Sequence, residues 1–156
     1  YTGTGWTPLP PMPHEAWKAT ACVLNGRLHV MGGYESNKLQ VLGMTEENGL
    51  AWTVKADLPE PRNLAATAVH QGKIWLMGGN IDAEPSASVL TYNAEADAWE
   101  TGPPLPGPTA GQTATAIDGR IHLAAHSRTF VHDAAWSQVV GGPGYLFGTS
   151  GGVLLG

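Results

Sequence analysis

Two glycine-rich stretches, six histidines and one cysteine are the parts of this sequence whose residue types suit chemistry. Gly148-Thr149-Ser150-Gly151-Gly152 fits G-x-S-x-G, the sharp turn that lifts a nucleophilic serine between a strand and a helix. Val153-Leu154-Leu155 follows it here, a strand pattern, so a hairpin turn is expected instead. Residues 141–148 are glycine-rich enough to wrap a phosphate. They lack the G-K-[ST] ending and the helix start that would aim amides at an anion, so an inter-element loop is expected. His126 and His132 lie six apart beside Asp133 and would approach each other across a hairpin. A zinc or copper site needs three or four convergent ligands with support behind them, and solvated loop histidines are the expectation. Cys22 stands alone, which excludes an internal disulfide and a multi-cysteine metal site. No cofactor is expected.

The elements that would position such groups follow from composition and repetition. Of 156 residues, 21 are Gly and 12 are Pro, spread along the chain, while 42% are hydrophobic and 13% charged. Many turns and short strands are implied, with enough apolar residues for a core, and neither a helical bundle nor a disordered chain. The formal charge is −5 and the basic residues are few and scattered. No stripe exists for nucleic acid or an anionic membrane surface, and no apolar run would span a bilayer. Neither class of partner is expected.

Self-comparison reveals a repeat. TACVLNGRLHVMGG (20–33) aligns with TAVHQGKIWLMGG (67–79) and with TATAIDGRIHLAA (113–125); the turn glycines Gly26, Gly72 and Gly119 are 46 and 47 residues apart. A Pro-rich segment precedes each: PLPPMPH (8–14), DLPEPR (57–62), PLPGPT (104–109). A further apolar run follows each, LQVLGM (39–44), SVLTY (88–92) and TFVH (129–132), and then Trp52, Trp99 and Trp136. The first strand is small and β-branched, as suits an inner strand crowded near an axis. Asn-Gly, Gln-Gly and Asp-Gly mark the first hairpin turns. His29 and His122 share a second-strand position with Trp75 and so read as scaffold. Four antiparallel strands in about 47 residues is the size of one propeller blade.

These residues resemble the Kelch family, whose hallmarks are a diglycine closing the second strand, a Tyr on the third and a Trp on the fourth. Gly78, Gly79, Tyr92 and Trp99 supply the full set. The first unit has Gly32, Gly33 and Trp52, with Met44 where Tyr is expected; the third has Trp136, with Ala124-Ala125 for the diglycine and His132 for the Tyr. The resemblance implies an all-β fold, a Kelch-type β-propeller arc of four-stranded antiparallel blades. The expected division is a half blade at 1–10, blades at about 11–55, 58–102 and 105–140, and a half blade at 144–156. Kelch propellers usually close with six or seven blades. The arc is therefore expected to self-associate or to be completed by further blades, unless the two half blades combine into a four-bladed ring.

In a four-stranded meander, the loop from second to third strand and the inter-blade linker emerge on one face. The resemblance implies ligands there, around the central channel. His14, Arg62 and Thr109 follow proline in the three linkers, and an Arg at that position often lines the ligand face in Kelch proteins. The second-to-third-strand loops add Tyr34, Glu35, Ser36, Asn37 and Lys38, then Asn80, Asp82 and Glu84, then Ser127 and Arg128. The expected function is a binding module holding a protein segment or polar ligand through Arg62, His14, Tyr34, Asn80, Asp82 and Arg128, with Arg62 as charged anchor. Two alternatives remain: a Kelch-type enzyme, mutarotase-like or galactose-oxidase-like, with part of its site outside this chain, and a structural or engineered propeller fragment that self-associates. Cys22 occupies a repeated inner-strand position with no tyrosine partner apparent for the crosslink of galactose oxidase, and the iron motif E-x-x-x-D-x-x-x-H of nitrile-specifier proteins is absent.

Overall fold

A computed structural model describes residues 5, 6, 8–46, 49–126 and 128–139. The half unit expected at 144–156, the G-x-S-x-G pattern, the 141–148 stretch, and residues 1–4 and 7 of the half unit expected at 1–10 lie outside them. No helix among the described residues is long and apolar enough to cross a membrane.

The alternating apolar runs become strands where the sequence places them. The first sheet holds β1 (Thr20–Leu24), β2 (Arg27–Met31), β3 (Leu39–Thr45) and β4 (Gly49–Lys55), antiparallel and in chain order. The second holds β5 (Ala66–His70) and β6 (Lys73–Met77); a small hairpin of β7 (Asn80–Ile81) and β8 (Glu84–Pro85) intervenes before β9 (Val89–Asn93) and β10 (Ala98–Thr101) complete the meander. The third holds β11 (Thr113–Ile117), β12 (Arg120–Ala125), β13 (Arg128–His132) and β14 (Trp136–Val139). The inner strands β1, β5 and β11 lie side by side, and Thr67 Oγ1 ties β5 to β1, donating to Ala21 O at 3.2 Å and lying 3.2 Å from Thr20 Oγ1. Small residues at Ala21, Ala68, Ala114 and Ala116 leave an axial cleft of about 390 Å³ between them.

Two apolar layers hold the three sheets face to face. Leu24, Met31, Leu39 and Val41 of the first sheet pack on Ile74, Leu76, Leu90 and Tyr92 of the second. Ala66, Ala68, Trp75, Met77 and Val89 of the second pack on Ala114, Ile121, Leu123, Ala125 and Phe130 of the third. β6 is apolar on both sides because it is covered on both sides. Each linker adds a leucine to the layer beneath it, Leu58 and Leu105, which are 2% and 4% exposed. Burying such a side chain stabilises by about 1.5–3 kcal/mol. Met12 holds this place in the first linker and is 41% exposed, with no sheet among the described residues ahead of it.

The diglycine locks each sheet to the next linker. Gly33 N donates to Arg62 O and Gly79 N to Thr109 O, both at 2.8 Å. The preceding Gly32 and Gly78 have φ of +68° and +58°, and a Cβ on Gly78 would lie 2.6 Å from Thr109 O. A side chain is barred both by backbone conformation and by the neighbour it would strike. The fourth-strand tryptophans complete the clasp from the outer edge: Trp52, Trp99 and Trp136 each donate an indole N–H, to Pro10, Ala56 and Pro103 carbonyls at 2.8–2.9 Å.

Strand register corrects two alignments. Trp52 pairs with Leu42, as Trp99 pairs with Tyr92 and Trp136 with His132. Leu42, not Met44, therefore holds the tyrosine position; β3 runs on to Thr45, which displaces a count taken from the sequence, and Met44 is 72% exposed. In the linkers, the indole bonds match Pro10 with Ala56 and Pro103. Ala16 then corresponds to Arg62 and Thr109, and His14 falls two residues earlier.

The tyrosine position is filled differently in the two interfaces. Tyr92 donates to Asp97 Oδ1 at 2.6 Å, and that oxygen also accepts the Ala56 amide at 2.9 Å. The Tyr92 hydroxyl, then the Ala56 amide, hold the Asp97 carboxyl below the usual carboxylate range; burial, then Asp97, push the Tyr92 phenol up. His132 instead sits between Trp75 and Trp136 at ring distances of 5.0 and 4.9 Å, with both ring nitrogens buried and unpartnered. Asp133 beside it pairs outward with Arg120 at 3.2 Å. Burial, then the neighbouring His70, hold the His132 pKa below the ordinary histidine value, against a smaller opposing pull from Asp133.

Two outcomes follow. Gly78→Ala destabilises the chain by at least about 1–2 kcal/mol, the cost of a left-handed alanine alone; an unchanged denaturant midpoint would falsify the clasp. A histidine kept neutral by folding takes up its proton first in the unfolded chain, so its contribution is complete above about pH 6.5 and lost as pH falls towards the lower folded value. The melting temperature therefore drops between pH 7.5 and 5.5, and drops less in His132→Leu, which borrows the residue of the first sheet. Equal drops in both proteins would show that His132 is not a source of the acid sensitivity.

Candidate binding face

The second-to-third-strand loops and the linkers meet on one side of the sheets and interlace there. Tyr34 N donates to Trp17 O at 2.7 Å and Asn80 N to Asn63 O at 2.8 Å, equivalent bonds in successive repeats. Around the channel mouth, Leu64 N donates to Lys18 O at 3.1 Å and Gly111 N to Leu64 O at 2.9 Å. Lys18, Leu64 and Gly111 all turn through positive φ, of 58°, 54° and 71°. These three equivalent turns form a continuous rim, because each linker must reverse there to enter its inner strand.

Much of what the sequence offers for ligand contact is used to build this rim. Arg62 is 2% exposed. Its Nη1 donates to Gly78 O at 3.0 Å and Ser88 O at 3.1 Å, and its Nη2 to Ser88 Oγ at 2.7 Å and Glu60 at 3.4 Å. Burial holds its pKa below the ordinary arginine value, partly offset by Glu60. With its carbonyl on Gly33 and its guanidinium on Gly78 and Ser88, Arg62 braces the first sheet to the second from inside, where the sequence had suggested an accessible anchor. Asn37 grips Leu58 through two bonds, and Lys38 pairs with Asp57. His14 is exposed, and its backbone N–H and C=O are both held by the buried Gln40 amide, at 2.8 and 3.0 Å. Gln40 is thus a linker clamp in the one sheet that has it.

Other residues do face outward. Tyr34 is 50% exposed. Asp82 and Glu84 are exposed on the β7–β8 hairpin, whose turn residues Asp82 and Ala83 have φ of 49° and 67°. Asn80 is half-buried at the base of that hairpin, its backbone paired with Asn63. Arg128 is exposed at the start of β13, its guanidinium carbon 5.6 Å from the Phe130 ring centre; Ser127 lies outside the described residues. His126 and His132 do not converge: β13 lies between them, and four residue steps of strand between Arg128 and His132 span about 13 Å. Among the described residues, no three or more of His, Cys, Asp and Glu come together as metal ligands would. Cys22 is half-buried on β1 facing the axial cleft, and burial pushes its thiol up to about 12, so it is no nucleophile near neutrality.

One cluster escaped the sequence reading. Trp17 is 64% exposed and meets Tyr34 edge to face at 5.3 Å, with Lys18 Nζ 4.2 Å from the Trp17 ring centre and 5.9 Å from that of Tyr34. A signal for it exists in the repeat: Trp17 lies off the fourth-strand tryptophan period, where the other two units have Asn63 and Ala110. A large aromatic that the scaffold does not require points to a contact surface.

The Kelch motif family matches residues 61–106. The chain is 29% identical over 125 residues to human Kelch-like protein 33, covering 76% of this chain and 24% of that protein. It is 33% identical over 122 residues to Kelch-like protein terF of Aspergillus terreus, covering 69% and 26%. It thus spans about a quarter of the length of these relatives. The solved structure of YjhT aligns with a TM-score of 0.75 at 18% identity, over 92% of this chain and 56% of that one.

Removing the Arg62 guanidinium takes a donor from the buried Gly78 O, while Ser88 O keeps the Gly78 amide and Ser88 Oγ the Ser86 hydroxyl. Arg62→Met is expected to destabilise by about 1–3 kcal/mol in urea unfolding. A loss under about 0.5 kcal/mol, typical of surface changes, means the guanidinium does not brace the sheets.

Proposed function

The chain belongs to the Kelch-repeat family, whose sheets here stack as in a β-propeller, and from that premise we propose that it is an interaction module holding a protein segment on its loop face. The observation that carries this is the Trp17–Tyr34 pair, two half-exposed or more exposed rings fixed beside the channel mouth. Their backbones are locked together by the Tyr34 N to Trp17 O bond, so the rings are preorganised and lose little freedom on binding. Leu64 extends the apolar surface along the rim at 37% exposure. Asn80, Asp82 and Arg128 supply polar contacts at its border, while Arg62 and His14 shape the face through the linkers they hold. The likeness to Kelch-like proteins supports an interaction role.

A displayed peptide library panned on the 156-residue chain tests the site. Selected peptides should lose at least about tenfold in affinity with Trp17→Ala or Tyr34→Ala, as expected of aromatic anchors. They should be indifferent to Asp118→Asn, in the β1-to-β2-type turn of the third sheet at the far side. Peptides that bind Trp17→Ala as well as the parent protein place recognition elsewhere.

A further inference from the structure

The charges around the aromatic pair specify the partner's chemistry further. Basic groups of the loops and linkers are largely engaged within the chain: Arg62 is buried on backbone carbonyls and Glu60, and Lys38 pairs with Asp57. Lys18 lies over the Trp17 and Tyr34 rings. The carboxylates are less engaged. Glu15 and Glu35, on the segments that carry Trp17 and Tyr34, and Asp82 and Glu84, on the neighbouring hairpin, are exposed and in no ion pair among the described residues. Arg128 is the opposing charge, out on the third sheet against Phe130. The far side carries the pairs Lys73–Glu100 and Arg120–Asp133, beside exposed carboxylates at Glu46, Glu95 and Asp118, but no aromatic pair like Trp17–Tyr34 is found there among the described residues.

Resting on the loop-face reading, we infer that the Trp17–Tyr34 platform receives an arginine or lysine of an extended partner segment. An aromatic face is electron-rich and attracts a cation, more so with carboxylates nearby. Lys18 is the internal example: its ammonium already occupies the spot, at a distance suited to that attraction. A guanidinium stacks better on such rings than an ammonium and displaces Lys18 into solvent, where its long flexible stem lets it go. A partner carboxylate meets the opposite situation, facing electron-rich rings and like charges at Glu15 and Glu35. The surface therefore discriminates by sign, with the aromatic pair supplying contact area and the carboxylate border supplying attraction.

Three fluorescein-labelled ten-residue peptides test this by anisotropy against the whole chain. They are identical but for two positions beside a central leucine, filled by arginine, by uncharged citrulline or by glutamate. The arginine peptide should bind about fivefold or more tighter than citrulline in low salt, an advantage that shrinks as salt is raised. Trp17→Ala should remove most of that binding, and Glu35→Gln with Asp82→Asn should weaken it selectively. Lys18→Ala should tighten it, because an internal competitor and a like charge are gone. If glutamate binds best and Lys18→Ala weakens it, the cation preference is overturned while the loop face survives as a binding site. If no peptide binds, or none depends on Trp17, the loop-face reading is overturned and the inference with it.

Discussion

Everything in this architecture depends on one close approach, a linker carbonyl seated where a glycine has no side chain. Gly33 and Gly79 each give an amide hydrogen to the linker of the following sheet, and the residue before each is in the left-handed region against that same carbonyl. The bond sets how far the next linker stands from the strand it crosses, so it also sets the spacing of sheets about the axis. The apolar layers then fill a gap whose width has already been determined. Most of the stabilisation comes from those layers, while the geometry comes from the clasp.

The third sheet shows what the same position looks like without the clasp. β12 continues through Ala124 and Ala125 in ordinary extended conformation, where β2 and β6 stop before their diglycines. The side of that sheet turned away from the second carries His122, Ala124 and Thr129. The corresponding side of the second carries Trp75, Met77 and Val89 under the third sheet. Trp75 and Met77 are thus covered by the third sheet, while His122 and Ala124 hold the same places on the side that no described sheet covers. The axial and far-side scaffold is conservative from one repeat to the next, and the loop face is where Trp17, the β7–β8 hairpin and the buried Arg62 differ. Variation is tolerated there because the linkers are held mainly by backbone bonds, which leave side chains free to change.

Much of this was legible in the sequence, and the reason is periodicity. Strand alternation, Asn-Gly and Asp-Gly turns, diglycines and indoles recur at one spacing, and each has a local cause that operates wherever the residues occur. Legibility failed at positions whose identity depends on counting through a segment of variable length. A count from the sequence aligns Met44 with Tyr92 because the longer β3 hairpin is invisible to it, and a proline match aligns His14 with Arg62 although the first linker is two residues longer. Trp17 lies off the repeat, so periodicity does not single it out, and that same property sets it apart from the scaffold.

The sequence by itself determined the strands, their order within each sheet and the family resemblance, since hydrophobic alternation and turn residues act over a few positions. Only the tertiary structure decided what each polar side chain does. Arg62 follows proline in a surface linker by any local criterion, yet the second sheet closes over it and supplies three acceptors for its guanidinium. Tyr34 sits in an equally polar loop and remains open to solvent beside Trp17. The difference lies in which segments from other repeats arrive on top of a residue, and no local pattern carries that information.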